Sequence, residues 1–252
     1  MQCLWMRLTG MVPDSYIKKG RIFLFMVLGI TGSIGAGKST VREEFSALGW
    51  RFFDADSICH DIYASPEGEF FNGIISFFGE DVLSGTEGGG PKCDAGFEKD
   101  LKKASQRQVP DAEQSHRTGM IDRKKLAAKV FGQPEKLQQL TALLYPELNR
   151  RLDAAISACR EENVHGAFEI PLLYENDYQK KFDAVLTVWS AAEIRYKRLV
   201  DMRHFTRDDI VKREKEQLPP DEKLSRADFA LINNGSRELL HEQIIFFINR
   251  FK

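Results

Sequence analysis

With 252 residues, 42% of them hydrophobic and 29% charged, the chain can bury a substantial core and has the composition of an ordinary globular protein. A formal net charge of −1 argues against a general nucleic-acid binder, which is usually basic. Cys3, Cys59, Cys93 and Cys159 form no CxxC pair and have no histidine at zinc-like spacing, so they read as reduced cytoplasmic thiols or small buried residues.

Residues 1–25 combine Pro13, Lys18-Lys19 and Gly20 without periodicity and lack the apolar stretch of a signal peptide. They read as an upstream extension, with Met26 the expected start. The longest apolar run, 22–30, is far too short to span a bilayer, so no membrane partner is expected. Residues 26–31 read as a buried strand. A helix is predicted over 38–48, where Val41, Phe45 and Leu48 share one face, and Gly49 is its stop. A second strand covers 51–53 and is ended by Asp54, with a helix starting near Ser57.

Phe71, Ile74, Ile75 and Phe78 repeat a helical spacing. That spacing is lost over 84–119, which contains Gly88-Gly89-Gly90-Pro91 and few large apolar side chains. Such a stretch cannot bury enough to offset its ordering entropy, and a disordered surface insertion is expected. Periodicity resumes at Leu126, Ala127, Val130 and Phe131, continues through 137–144, and passes into a helix through Leu148, Leu152, Ala155 and Ile156. Strands are predicted at 167–170, 184–188 and 229–232, a charged helical stretch at 192–217, and a closing helix at 238–247. Strands alternating with helices argue for an α/β domain with a mainly parallel sheet.

The chemistry is concentrated in Gly32-Ser33-Ile34-Gly35-Ala36-Gly37-Lys38-Ser39, a GxxxxGK[ST] motif between a predicted strand and a predicted helix. Glycines let a backbone turn its N–H groups inward around an anion. A helix N-terminus adds partial positive charge. In such a phosphate loop Lys38 reaches the β- and γ-phosphates, and Ser39, followed by Thr40, stands where Mg²⁺ is held. No N-K-x-D base-reading motif occurs, since Asn233-Asn234-Gly235-Ser236 lacks the Lys and the Asp. That sets GTPases aside and leaves kinases and ATPases.

Asp54-Ala55-Asp56 follows the second strand, at the carboxyl edge of a parallel sheet, where the loop also lies. Two acids beside a polyphosphate are costly unless a metal or a substrate proton needs them. Asp54 is assigned the base role and Asp56 the helix cap. Glu169, at the end of the third strand before Pro171, stands where a Walker-B-type acid would assist Mg²⁺; a solvent-facing acid is the alternative. Arg195, Lys197, Arg198, Arg203, Arg207, Lys212, Arg213 and Lys215 crowd 195–215 with acids between them. A solvated helix pair is one reading. A lid whose Arg198 and Arg203 close over the phosphates is the other, and the phosphate loop favours it.

In these pieces the chain resembles the dephospho-CoA kinase family. The resemblance runs through "LGITGSIGAGKSTV", "FFDADSICHDIY", "IDRKKLAAKVF", "LLYPEL", "FEIPLLYEN", "RLV" and "REKEQLPPDEKLSRADFALINNGS". It implies a three-layer P-loop NTPase fold, with a helical acceptor-binding subdomain at 57–151 and a mobile lid at 191–219. It also implies ATP with Mg²⁺ as donor and the ribose 3′-hydroxyl of dephospho-CoA as acceptor. Asp54 would activate that hydroxyl, and Asn233 and Asn234 would lie near the adenine. The extension 1–25 and the insertion 84–119 depart from the family pattern. For this chain, a monomeric cytoplasmic protein without nucleic-acid partners is expected. A kinase for another small acceptor, such as a nucleoside or shikimate, and a nucleotide-binding switch without phosphoryl transfer are the competing readings.

Overall fold

The computed structural model describes residues 25–84 and 119–251; of Arg203 only the backbone is included. The expectations for the N-terminal extension and for the body of the insertion lie outside these residues. The chain divides into two compact units, one made of the segments before Ala55 and after Ala158, the other of 55–158.

The first unit is built on five strands, β1 (Val27–Thr31), β2 (Arg51–Asp54), β3 (Gly166–Glu169), β4 (Ala184–Trp189) and β5 (Phe229–Ile232). They form one sheet in the order β2-β3-β1-β4-β5, and every neighbouring pair is parallel. β1, β4 and β5 are short, nearly continuous apolar runs, as expected for a parallel sheet covered on both faces, whereas the edge strand β2 is apolar only at Phe52 and Phe53. The expected α/β architecture is present.

Alternation along the strands sorts the side chains onto two faces. Leu28, Ile30, Ala167, Leu186, Val188, Phe229 and Leu231 pack in one cluster. That cluster also takes Val41 and Phe45 of α1 (Lys38–Ala47), and Leu240, Ile244 and Phe247 of the closing helix. Phe45 is fully buried and stacks edge-on against Trp50 at 5.1 Å. Burial of a side chain of this size contributes roughly 1.5–3 kcal/mol. On the opposite face Phe53 and Phe168 stack at 4.5 Å, and Phe182 closes on Phe168. A Cβ at Gly29 would come within 2.6 Å of the Phe182 ring and 2.8 Å of Leu173, so only glycine lets these side chains reach β1.

The second unit is helical. It contains α2 (Ala55–Ala64), α3 (Glu69–Phe78), a short 3₁₀ turn (Glu80–Val82), α4 (Arg123–Val130) and most of α5 (Pro134–Glu161). Because α2 begins at Ala55, Asp56 lies in its first turn and not at its cap, which corrects the sequence assignment. The two apolar runs predicted around 137–144 and 148–156 form one helix, α5, which continues through Pro146. Proline removes a single N–H from the ladder, and flanking turns of good helix formers carry the helix past it. The ends of the insertion meet in an isolated antiparallel bridge, Leu83 with Ile121. The Ser84 N–H donates to Met120 O at 2.8 Å and the Asp122 N–H to Val82 O at 2.8 Å.

The charged stretch resolves into α6 (Ala192–Arg203) and α7 (Arg207–Lys215). They are separated at His204, whose φ is 54°, and Thr206 and Asp209 form a capping box at the start of α7. A further short helix, α8 (Pro220–Arg226), was not foreseen from the sequence; proline at its start is a favoured position. The closing helix, α9, covers Arg237–Ile248. Among the described residues no helix is long and apolar enough to cross a membrane.

Candidate active site

The loop 32–37 leaves the carboxyl end of β1 and enters α1 directly. Gly37 stands at the N-cap of α1 in the left-handed conformation, φ 95°, and no side chain caps the helix. A Cβ there would collide with the Asn233 amide. Glycine is therefore required both by backbone conformation and by close approach. An uncapped helix N-terminus turns the first amides of α1 and the positive end of the helix dipole toward one spot, which suits an anion, while the Thr40 N–H already donates to Gly37 O at 3.1 Å. Ser33 is buried, and its hydroxyl has no hydrogen-bond partner.

Lys38 folds back along the loop. Its Nζ donates to Gly32 O at 3.0 Å and Ser33 O at 3.4 Å, and lies 3.9 Å from Glu169 Oε1. Strand register places Asp54 opposite Glu169 at the ends of β2 and β3, and Ile30 on the other side of Glu169. Residues in register on parallel strands share a face. Asp54 and Glu169 thus point to the side where α1 packs, and Arg42 of α1 donates to Asp54 Oδ2 at 3.3 Å. The side chains of Lys38, Glu169 and Asp54 are 11%, 13% and 19% exposed. They are reachable from solvent yet screened enough for their charges to matter.

The sequence singled out Lys38, Asp54 and Glu169, and the fold brings them together. Arg42 was missed, although it lies one helical turn beyond Lys38 on the same face and the i, i+4 spacing was legible.

Arg198 of α6 donates to Asn233 Oδ1 at 3.2 Å, and Asn233 Nδ2 donates to Ala36 O at 2.8 Å. The second guanidinium nitrogen of Arg198, Nη1, is buried without a partner among the described residues and lies 3.9 Å from where a Gly37 Cβ would stand. Asn233 therefore braces the loop and orients Arg198. Asn234 does something different: its Oδ1 accepts the Ala191 N–H at 2.9 Å, just ahead of α6. Arg203 ends α6, and its side chain lies outside the described residues.

The solvated-face reading fails for Arg195, which is 3% exposed. It donates to Ser190 O at 3.1 Å and to Ile34 O of the loop at 3.2 Å, and it pairs with Glu214 of α7 at 2.6 Å. Tyr196 also hydrogen-bonds Glu214, and that bond holds its phenol proton above the ordinary range. Sequence pattern counted Arg195 as one cation among many. Only its neighbours distinguish it.

The donors at this edge fit Mg²⁺. The Ser39 hydroxyl is exposed on the first turn of α1, and the Glu169 carboxylate faces the same side. One hydroxyl and one carboxylate are hard oxygen ligands, and Mg²⁺ takes few protein ligands beside phosphate oxygens and water.

The dephospho-CoA kinase family model matches residues 26–92 and 98–238, a span that includes every site residue named above. The chain belongs to the dephospho-CoA kinase family. Among curated relatives, dephospho-CoA kinase of Deinococcus radiodurans is 32% identical, covering 86% of this chain and 88% of its own. That of Corynebacterium glutamicum is 31% identical, covering 86% and 92%. A crystal structure from Thermus thermophilus is 27% identical and superimposes with a TM-score of 0.65 over 90% of this chain and 98% of that one. Dephospho-CoA kinase from Campylobacter jejuni, at 22% identity and a TM-score of 0.53 over 91% and 98%, shares the fold. The family match leaves out residues 93–97 and otherwise runs through 84–119, the stretch expected to be an insertion.

Proposed function

We propose that this member of the dephospho-CoA kinase family transfers the γ-phosphoryl group of ATP to the ribose 3′-hydroxyl of dephospho-CoA. The products are coenzyme A and ADP, and the step is the last of coenzyme A biosynthesis. The register of Asp54 against Glu169, on the face of the sheet that carries α1 and Lys38, carries the reading. Phosphoryl transfer demands little covalent chemistry from a protein beyond in-line positioning and charge stabilisation. An acid, a lysine and a ring of backbone amides at one sheet edge supply both.

In this reading the amides of 32–38 cradle the phosphates and Lys38 neutralises the transferring group. Asp54, held by Arg42, orients the 3′-hydroxyl and accepts its proton as the oxygen bonds to the γ-phosphorus and the bond to the β-phosphate oxygen breaks. Ser39, with Glu169 assisting, would hold Mg²⁺, which would supply charge neutralisation at the phosphates. Residues 57–151 bind the acceptor. The segment 191–219 acts as a lid, with Arg198 and Arg203 directed to the phosphates and Asn233 and Asn234 beside the adenine.

The test is an ADP-release assay with ATP and Mg²⁺, offering dephospho-CoA, adenosine and shikimate separately. Turnover with dephospho-CoA alone, giving a product of coenzyme A mass, is expected. Turnover with another acceptor moves the chain to a different kinase specificity. Tight ATP binding with no turnover on any of the three makes it a nucleotide-binding switch.

A further inference from the structure

Two of the stretches that carry the family resemblance, 168–176 and 213–236, contain a buried charge that the phosphate site does not use. Lys223 of α8 has no exposed surface. Its Nζ donates to Pro171 O at 2.6 Å and pairs with Glu175 Oε1 at 2.9 Å. The same Glu175 oxygen accepts the Leu218 N–H at 2.6 Å. Pro171 O also accepts the Thr31 hydroxyl at 3.3 Å, and Thr31 ends β1 immediately before Gly32. The hydrogen bonds thus run unbroken from the root of the phosphate loop, through Pro171, Lys223 and Glu175, to Leu218, where the chain returns after α7.

As a source of stability this arrangement is poor. Burial disfavours the Lys223 ammonium and pushes its pKa down, and the Glu175 carboxylate only partly restores it. Glu175 Oε2 is buried with no hydrogen-bond partner among the described residues, a further cost. Apolar side chains of similar volume would hold the same space as well or better. What the pair supplies is a fixed geometry. It anchors the end of the segment 192–217, whose beginning is anchored when Arg195 donates to Ile34 O. Between the two anchors lies Arg198, which, like Arg195, is directed to the loop.

We infer that Glu175 and Lys223 are positioning residues for phosphoryl transfer. They set where the segment that starts with α6, the helix carrying Arg195 and Arg198, returns to the sheet after α7, and so how those guanidinium groups stand at the phosphate loop. The inference rests on the kinase reading above, and the two fail separately. Loss of that reading appears as an inactive wild type, whereas this anchor is also read by hydrogen exchange in the absence of any substrate.

The experiment compares Lys223→Met, Glu175→Gln and the double variant Glu175→Leu/Lys223→Met in the full chain. Each is measured for thermal unfolding, for kcat and KM with ATP and dephospho-CoA, and for amide exchange over 192–218. The double variant exchanges an ion pair for apolar packing, so its melting temperature is expected to return to that of the wild type. Its kcat is expected to stay ~10- to 100-fold low, the cost of misplaced catalytic groups, with faster exchange over 192–218. Recovery of kcat together with stability would reduce the pair to a structural contact and overturn the inference. Glu175→Gln preserves shape and one acceptor oxygen, which keeps the test decisive if the other variants do not fold. Faster exchange over 207–218 and a lowered kcat are expected from it, and wild-type values of both would overturn the inference.

Discussion

The carboxyl edge of the sheet and the charged helix α6, with Glu214 of α7 behind it, both bring cations to the loop 32–37, by opposite means. At the sheet edge the side chains are placed by local rules. Strand pleat and register put Asp54 beside Glu169, and the loop-to-helix junction puts Lys38 within 3.9 Å of Glu169. In α6 and α7 placement depends on partners far away in sequence: Arg195 on Ile34 and Glu214, Arg198 on Asn233. The lesson is that one site can have a chemically rigid half and a half held only by tertiary contacts. Substitutions in the first should change chemistry with little effect on folding, and substitutions in the second should change both.

The sharpest division comes from the sheet edge. Lys38→Ala is expected to lower kcat by at least ~10²-fold and to weaken ATP binding, because it removes a preorganised cation from the developing charge. Asp54→Asn is expected to lower kcat by ~10²–10⁴ with ATP affinity little changed, since it removes the proton acceptor and leaves the loop intact. Steady-state kinetics with isothermal titration of ATP checks both. An Asp54→Asn enzyme of normal rate would return Asp54 to the role of a strand-end residue and blur the contrast.

Arg195→Met probes the other half. It leaves the Ser190 and Ile34 carbonyls without that donor and separates Glu214 from its cation. A loss of about 3 kcal/mol is expected in chemical denaturation, with reduced turnover in the molecules that remain folded. Asn233→Ala removes the bonds to Ala36 O and from Arg198, and should cost ~1–2 kcal/mol while raising KM for ATP. A change in KM with no change in stability would show that Asn233 contacts nucleotide without bracing the loop.

The smallest effect concerns His165, far from the phosphates. Its Nδ1 accepts the Met26 N–H at 3.1 Å and its ring stacks on Trp50 at 4.6 Å. Partial burial pushes its pKa below the ordinary 6.5. Well above pH 6.5 the ring is neutral in both folded and unfolded chains and adds no pH dependence. As the pH falls through 6.5 the unfolded chain takes up the proton first, so stability declines toward the folded pKa. Denaturation at pH 7.5 and 5.5 (chosen to straddle that value) should show the decline, and His165→Gln should flatten it.

The sequence by itself determined the α/β alternation, every strand to within a residue or two, and the phosphate loop. These follow from period-2 and period-3.6 hydrophobic patterns and from a glycine spacing whose backbone demands are local. It also singled out Asp54 and Glu169, because the end of a parallel strand is a position that a one-dimensional pattern can mark. Only the tertiary structure separated Arg195 from its charged neighbours, turned Asn234 toward Ala191, and buried Lys223 against Glu175. In each case the decisive partner is a backbone carbonyl, a backbone amide or a carboxylate remote in sequence or hidden among many like it. Nothing in the spacing of charges along a helix records which of them folding will take out of water.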